Sequence, residues 1–308
     1  MRKIGLVGTF VRDTIIPWKG KPVQSIGGLF FTATYLASLA DRSVEIYPLS
    51  FVGDDFYDQL KDELNGYENI NFSGLTRVGQ KNTHVRLTYT GPLTREEVTT
   101  PPMPPLQIEH LEMLLDMDAV IVNLITGFDV DLAALQEFRR HSGSLLLLDI
   151  HSRTLGIDAS GKRFPRKPED WMSWFDCADI IQLNEKEAQI LGEFSENSEA
   201  ALYEFGEKIL KKAATVCLIT MGERGSCVLF RNKNGLQREK VMAKKVKEVK
   251  DVIGCGDAFQ AAFMIHYLEK RDVTEAAEFA NKVAAANSTF VGSSKVKDIK
   301  TILEEQRL

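Results

Sequence analysis

The chain has 308 residues, 44% of them hydrophobic and 26% charged, enough to bury one α/β core with a small appended element. Its formal net charge of −5 argues against nucleic acid as the main partner, because binding a polyphosphate normally shows as a basic surplus. The opening run M-R-K-I-G-L-V-G is too short for a secretory signal, and no stretch approaches the roughly 18 apolar residues of a membrane span.

In chain order, short β-branched runs alternate with longer amphipathic segments. Strand composition marks Lys3–Val7, Val44–Leu49, Ala119–Val122, Leu145–Asp149, Asp179–Gln182 and Val216–Thr220. Helical spacing marks Thr32–Ala40, Asp55–Asn65, Glu109–Leu115, Asp131–His141, Glu185–Leu191 and Glu199–Lys212. Strand followed by helix, repeated, implies a mostly parallel sheet covered by helices on both faces, with ligands beyond the carboxyl ends of the strands. Ser226–Phe230 and Leu236–Met242 read as an antiparallel pair, followed by helices Gly256–Lys270 and Thr274–Thr289.

Two segments break the alternation. Thr14–Ser25 and Thr83–Thr99 have strand composition without a following helix, and the second runs into P-P-M-P-P, Pro101–Pro105. They are expected to form a small β lid inserted into a single α/β domain spanning 1–308. A small sheet needs its apolar face covered, so the lid is expected to close over a ligand and to offer a surface for a homodimer. The four cysteines, 177, 217, 227 and 255, make no C-x-x-C pair; three of them sit in apolar runs and fit buried thiols, and a reducing, cytoplasmic setting is expected.

The strongest chemical signal is D-V-I-G-C-G-D-A-F, Asp251 to Phe259. Gly254, Cys255 and Gly256 precede a helical pattern, and the free N–H groups of a helix start make an anion site that glycines allow an oxyanion to approach. Asp257 then falls in the first turn, where a carboxylate can take a proton from an attacking hydroxyl or simply cap the helix. The helix dipole should favour its ionised form, making Asp257 a weak base that acts through position. N-E-K-E, Asn184 to Glu187, follows a strand; it has the form of a capping box and equally of a polar pair reaching Mg²⁺ and phosphates. T-M-G-E-R-G-S carries Thr220, Gly222 and Gly225 in a tight turn, open to a nucleotide or to a plain hairpin. Asp13 lies just beyond the first strand, and Gly27 with Gly28 stands near a helix start, a pairing that suits sugar hydroxyls.

Together these motifs resemble the ribokinase-like, or pfkB, family of carbohydrate kinases, in family order from Gly5 to about Gly292. The family's D-T-x-G-x-G-D signature stands here as D-V-I-G-C-G-D. The resemblance implies an α/β core with a β lid and transfer of the γ-phosphoryl of ATP, with Mg²⁺, to a hydroxyl of a sugar-like small molecule. By position it makes Asp257 the base and Gly254–Cys255–Gly256 the anion hole. It places Asn184 and Glu187 at the metal and phosphates, Thr220, Gly222 and Gly225 at the nucleotide loop, and Asn281 at the adenine pocket. Asp13, Gly27 and Gly28 hold the substrate, and Asp251 with Ile253 corresponds to a monovalent cation site, K⁺, found in some members.

Departures bear on the substrate. Ribokinase itself has Asn where this chain has Val11 and Thr32, so ribose is disfavoured. Phe10, Arg12, Phe30 and Phe31 replace polar or small residues nearby, and D-I-H-S-R, Asp149 to Arg153, ends a core strand facing the same region. A nucleoside kinase of the same family, or a non-catalytic sugar or nucleotide sensor, stays open. No P-loop, G-x-G-x-x-G, H-E-x-x-H or G-x-S-x-G motif occurs, and the five histidines are scattered.

Overall fold

The structure, a computed structural model, describes residues 1–91, 94–195, 198–211 and 214–306. Its strands, in chain order, are β1 (Arg2–Val7), β2 (Phe10–Ile16), β3 (Val23–Gly28), β4 (Val44–Gly53), β5 (Leu75–Val78), β6 (His84–Tyr89), β7 (Arg95–Thr99) and β8 (Ala119–Asn123). There follow β9 (Leu145–Asp149), β10 (Leu155–Ile157), β11 (Arg163–Pro165), β12 (Ile180–Asn184), β13 (Val216–Thr220), β14 (Ser226–Asn232) and β15 (Gly235–Val241). The helices are α1 (Leu29–Leu39), α2 (Tyr57–Leu64), α3 (Ile108–Leu111), α4 (Leu132–His141) and α5 (Trp171–Phe175). The rest are α6 (Glu185–Gly192), α7 (Glu199–Leu210), α8 (Cys255–Lys270), α9 (Val273–Asn287) and α10 (Ile299–Glu305).

Nine strands form one sheet in the order β15-β14-β13-β12-β9-β8-β1-β4-β5. From β13 to β5 every neighbour runs parallel, and β14 and β15 add antiparallel at one edge. Helices cover both faces: α1, α8, α9 and α10 bury one apolar layer against the sheet, and α4 to α7 bury the other. Strands buried on both sides read as continuous apolar runs, which is why Ala119–Asn123 and Leu145–Asp149 stood out in the sequence. The parallel register sets Asn123 beside Asp149, Asp149 beside Gln182 and Asn184 beside Thr220. Polar side chains thus gather at the carboxyl edge, where an open α/β sheet binds its ligand.

The lid is a separate sheet in the order β3-β2-β6-β7, closed on its inner side by Val11, Val85, Leu87 and Ile125. Its first hairpin extends further than expected, from Phe10 to Gly28, and residues 92 and 93 of its second segment lie outside the described residues. The hairpin β10–β11 joins the β7 edge, through a bridge of Val98 to Lys162 and a bond from Thr99 N to Gly161 O at 2.8 Å. Three-residue strands carry no periodicity to read, so this hairpin was not foreseen. Arg163 on β11 keeps its side chain only 3% exposed, paired with Glu97 of β7 at 3.5 Å and donating from Nη1 to Thr126 O at 2.9 Å.

Other differences are at ends. Helix α1 starts at Leu29, three residues early, because Gly28 turns the chain at φ 62°. The expected Glu109–Leu115 helix splits into α3 and a 3-10 turn at Glu112–Leu114, and Lys212, the expected end of α7, lies outside the described residues. The short helices α5 and α10 were not foreseen.

Buried Asn82 ties the lid to the core: its Oδ1 accepts from Gly53 N at 2.9 Å and its Nδ2 donates to Phe10 O at 2.8 Å. Asn82→Ala strands both backbone groups, so it should lower unfolding stability by about 1–3 kcal/mol in denaturant melts. A melt matching the parent would show that these bonds do not hold the lid.

Candidate active site

Gly254 opens α8 at φ 78°, a left-handed conformation that favours glycine, and a Cβ there would come within 2.6 Å of the Phe31 ring. No side chain caps this helix start, and the Cys255 amide makes only a long bond to Val252 O at 3.4 Å. Asp257 sits in that first turn, 9% exposed. Its Oδ1 accepts three side-chain hydrogen bonds, from Thr32 Oγ1 at 2.9 Å, Asn123 Nδ2 at 2.8 Å and Gln260 Nε2 at 3.2 Å. Helix α1, strand β8 and helix α8 therefore converge on one carboxylate.

Burial pushes the Asp257 carboxyl up to about 6, against the pull of the hydrogen bonds from Thr32, Asn123 and Gln260. The expectation that the helix start makes Asp257 a weak base is corrected here: loss of water outweighs the helix start. Thr32, read above as a missing sugar contact, is fully buried and serves Asp257 instead. Asn123 and Gln260 were missed, although Gln260 lies one helical turn from Asp257, a spacing that signals a shared face.

Along the carboxyl edge, Asn184 and Glu187 complete a capping box. Asn184 Oδ1 accepts from Glu187 N at 3.0 Å, and Glu187 Oε2 accepts from Asn184 N at 2.8 Å. Burial, and then the charge of Asp149, hold the Glu187 carboxyl well above the usual carboxylate range. Asp149 is itself pushed up to about 7, by burial and then by Asp257. Gln182 Nε2 donates to Asp149 Oδ2 at 3.0 Å and to Gly256 O at 3.1 Å, binding the row to the α8 turn. Asp257 raises Asp149 and Asp149 raises Glu187, and a divalent cation beside this row would relieve the repulsion. No group of three or more His, Cys, Asp or Glu among the described residues could enclose a metal, so such a cation would keep mostly water and phosphate oxygens.

Asp13 lies on β2, within the lid sheet, almost fully buried, and its carboxylate occupies the space a Cβ on Gly27 would need. Burial and then Glu97 raise the Asp13 carboxyl to about 7; Arg95 pulls it down and Asp257 adds a smaller push upward. Gly28 follows directly as the cap of α1. His151, with φ 34°, is lowered to about 4 by burial, Arg163 and Arg95, and so is neutral near pH 7. His84 bonds Thr14 Oγ1 across the lid at 2.7 Å. Phe10, Phe30 and Phe31 are buried in the core, and Arg12 pairs with Asp55 at 3.0 Å.

Thr220 ends β13, and Gly222 and Gly225 bracket a 3-10 turn whose Arg224 pairs with Glu185. Asn281 is buried and donates to Ser226 Oγ at 3.0 Å and Val241 O at 3.3 Å, locking α9 to the antiparallel edge. Asp251 accepts backbone bonds on both oxygens, from Ile253 N at 3.0 Å and Gly292 N at 2.9 Å.

A family profile described as pfkB family carbohydrate kinase matches residues 132–299. The bifunctional protein HldE of Helicobacter acinonychis (strain Sheeba) is 25% identical over 334 residues, covering 99% of this chain and 67% of that protein. HldE of Helicobacter pylori (strain P12) is 26% identical over 333 residues with the same coverage. Among solved structures, a sulfate complex of a pyrophosphate-dependent kinase in the ribokinase family superposes with TM-score 0.78 at 18% identity, covering 96% of this chain and 99% of that one. Ribokinase from Giardia lamblia gives 0.79 at 17% identity, covering 99% of each chain. Arabidopsis thaliana ribokinase complexed with ribose and ATP gives 0.77 at 18%, covering 100% of this chain and 99% of that one. At such identity these structures establish the fold.

Thr32→Val keeps the shape at Asp257 and removes one charge-assisted hydrogen bond. Since such a bond is worth about 1.5 kcal/mol and one pH unit about 1.4, the Asp257 pKa should rise by about one pH unit. Carbon-detected NMR titration of labelled Asp would read it; an unmoved midpoint would remove Thr32 from the control of this carboxylate.

Proposed function

The chain belongs to the pfkB family of carbohydrate kinases, and we propose that it moves the γ-phosphoryl of ATP to a hydroxyl of a sugar-like molecule with Asp257 as general base. The observation that carries this reading is Asp257 itself, a buried carboxyl poised near 6 in the first turn of an uncapped helix, between the lid and the row of acids. With Oδ1 taken by three donors, Oδ2 is the oxygen that accepts the proton as the substrate hydroxyl attacks. The amides of Gly254–Cys255–Gly256 receive the oxyanions of the transferring group, placed in line with the acceptor. Asp13, beside Gly27 and Gly28, takes substrate hydroxyls under the lid. Its raised pKa matches a carboxyl waiting for donors that stabilise its charged form.

At the other end, Asn184 and Glu187, with Asp149 behind them, would hold Mg²⁺ through water, and the ion when bound neutralises phosphate charge. Thr220, Gly222 and Gly225 form the nucleotide loop, and Asn281 fixes the adenine wall by tying α9 to Ser226 and Val241. Val11 is buried and Thr32 is committed to Asp257, so neither offers ribose a polar contact. The buried Phe10, Phe30 and Phe31 leave no stacking platform there for a base, which favours a sugar over a nucleoside. A panel of sugars, inositols, sugar acids and nucleosides, run with ATP and separately with pyrophosphate, tests donor and acceptor together.

Asp257→Asn preserves size and fold and cannot accept the proton, so kcat should fall roughly 10²- to 10⁴-fold with ATP binding intact. The base must be ionised, so parental kcat should climb as pH rises through about 6 and flatten above it. Near-parental turnover in the Asn variant, or a flat profile across that range, would depose Asp257.

Glu187→Gln separates the two roles of that residue. As part of the metal site, its loss should raise the Mg²⁺ concentration needed for half-maximal rate and lower kcat in folded protein. If stability drops by about 1 kcal/mol while the Mg²⁺ dependence is unchanged, Glu187 is a cap alone.

A further inference from the structure

The loop entering the Gly254 turn is braced by the protein's own donors at the two residues that the family resemblance assigns to a monovalent cation. Both oxygens of Asp251 accept backbone amides, from Ile253 and Gly292. The carbonyl of Ile253 accepts from Asn287 Nδ2 at 2.9 Å. The neighbouring Ser288 carbonyl accepts from Lys250 N at 2.7 Å and Asp251 N at 3.3 Å. A dehydrated monovalent cation is held by carbonyl and carboxylate oxygens whose lone pairs replace its water. Each of these oxygens already gives one lone pair to an N–H, which sets a positive hydrogen beside the place an ion would take and leaves it only the second lone pair. The residues therefore suit their own donors better than a cation.

The donor is itself fixed. Asn287 closes α9 at 1% exposure, and Tyr35 of α1, fully buried, donates from its hydroxyl to Asn287 Oδ1 at 2.5 Å. Asn287 Nδ2 also reaches Cys255 Sγ at 3.2 Å. Flipping the amide would set its oxygen against the Ile253 carbonyl, acceptor to acceptor, so this network dictates its orientation. A line of bonds therefore runs from α1 through the end of α9 to the residues on either side of Gly254.

We propose that Asn287, oriented by Tyr35, replaces the monovalent cation as the brace of the loop before the anion hole, so that the protein neither binds nor needs K⁺. The proposal rests on the kinase reading above. Asn287 is a positioning residue in it: it touches neither acceptor nor donor and acts through Ile253 and Cys255.

Two measurements test this. Thermal melting of the parental protein, in KCl and in tetramethylammonium chloride of equal ionic strength, reads cation binding without turnover. The two melting temperatures should coincide, and a K⁺-specific rise would overturn the proposal even if no phosphoryl acceptor were found. With a substrate from the panel, parental kcat should be equal in both salts. Asn287→Asp, which turns the donor into an acceptor, should lose about 10- to 100-fold in kcat with the sugar KM unchanged, the usual scale for an outer-shell partner. Tyr35→Phe, milder and safer to fold, should lower kcat in the same direction with KM again unchanged. Parental kcat in folded Asn287→Asp, or in Tyr35→Phe should the Asp variant not fold, would refute the brace, as would a tenfold stimulation of the parent by K⁺. Absence of all transfer by the parent in either salt would instead refute the kinase reading and leave the melting result to decide the cation.

Discussion

Everything at the carboxyl edge depends on holding one charged oxygen out of water. Desolvating a carboxylate is costly unless hydrogen bonds answer it, and at Asp257 Oδ1 the answer comes from three directions. Thr32 arrives on α1, Asn123 on β8, and Gln260 on the same helix as Asp257 itself. The donors also bond one another, with Asn123 Nδ2 and Gln260 Nε2 both reaching Thr32 Oγ1, at 3.2 and 3.1 Å. That network exists only if α1 packs on α8 and α8 lies across the end of β8. The core and the site are consequently one construction: the layer that buries Phe31, Phe259 and Phe263 also brings the donors to Asp257.

A second consequence is electrostatic. Asp13, Asp257, Asp149 and Glu187 form a line in which burial raises each carboxyl and a neighbouring charge raises three of them further. Such a line favours the protonated forms more than water does, in spite of the hydrogen bonds its members accept. A hydrogen-bond donor or a cation bound beside any member of it would relieve that member. Part of the affinity for the first ligand is thus spent in settling the site for the next, a coupling that follows from like charges in a dry cleft.

The covered sheet was legible because apolar runs separated by amphipathic helices leave few other arrangements, and the glycine turn before Asp257 was legible because its residue types have few other uses. What escaped were features made by distance along the chain. Thr32 and Asp257 are 225 residues apart, so no local pattern could reveal that burial and three donors, and not the helix start, set the state of this carboxyl. Asn123 looked like the last residue of a strand and Gln260 like an ordinary helical polar residue. The N-E-K-E motif was ambiguous for the opposite reason: the capping geometry it spells locally is fully realised, and the charge of Asp149 beside Glu187 appears only when β9 and β12 pair.

The hairpin grafted onto the lid gives the lid a mechanical character. Because β11 is stitched to β7 and its buried Arg163 grips the carbonyl of Thr126, the flap does not hang from the two strands that lead into it alone. Thr126 lies three residues beyond Asn123, at the strand end that steadies Asp257. Any swing of the flap must carry that linkage along or break it. The hairpin works as a connecting rod: it joins the rim strand β7 to the stretch that follows Asn123, the amide that holds Asp257 Oδ1 at the floor of the cleft.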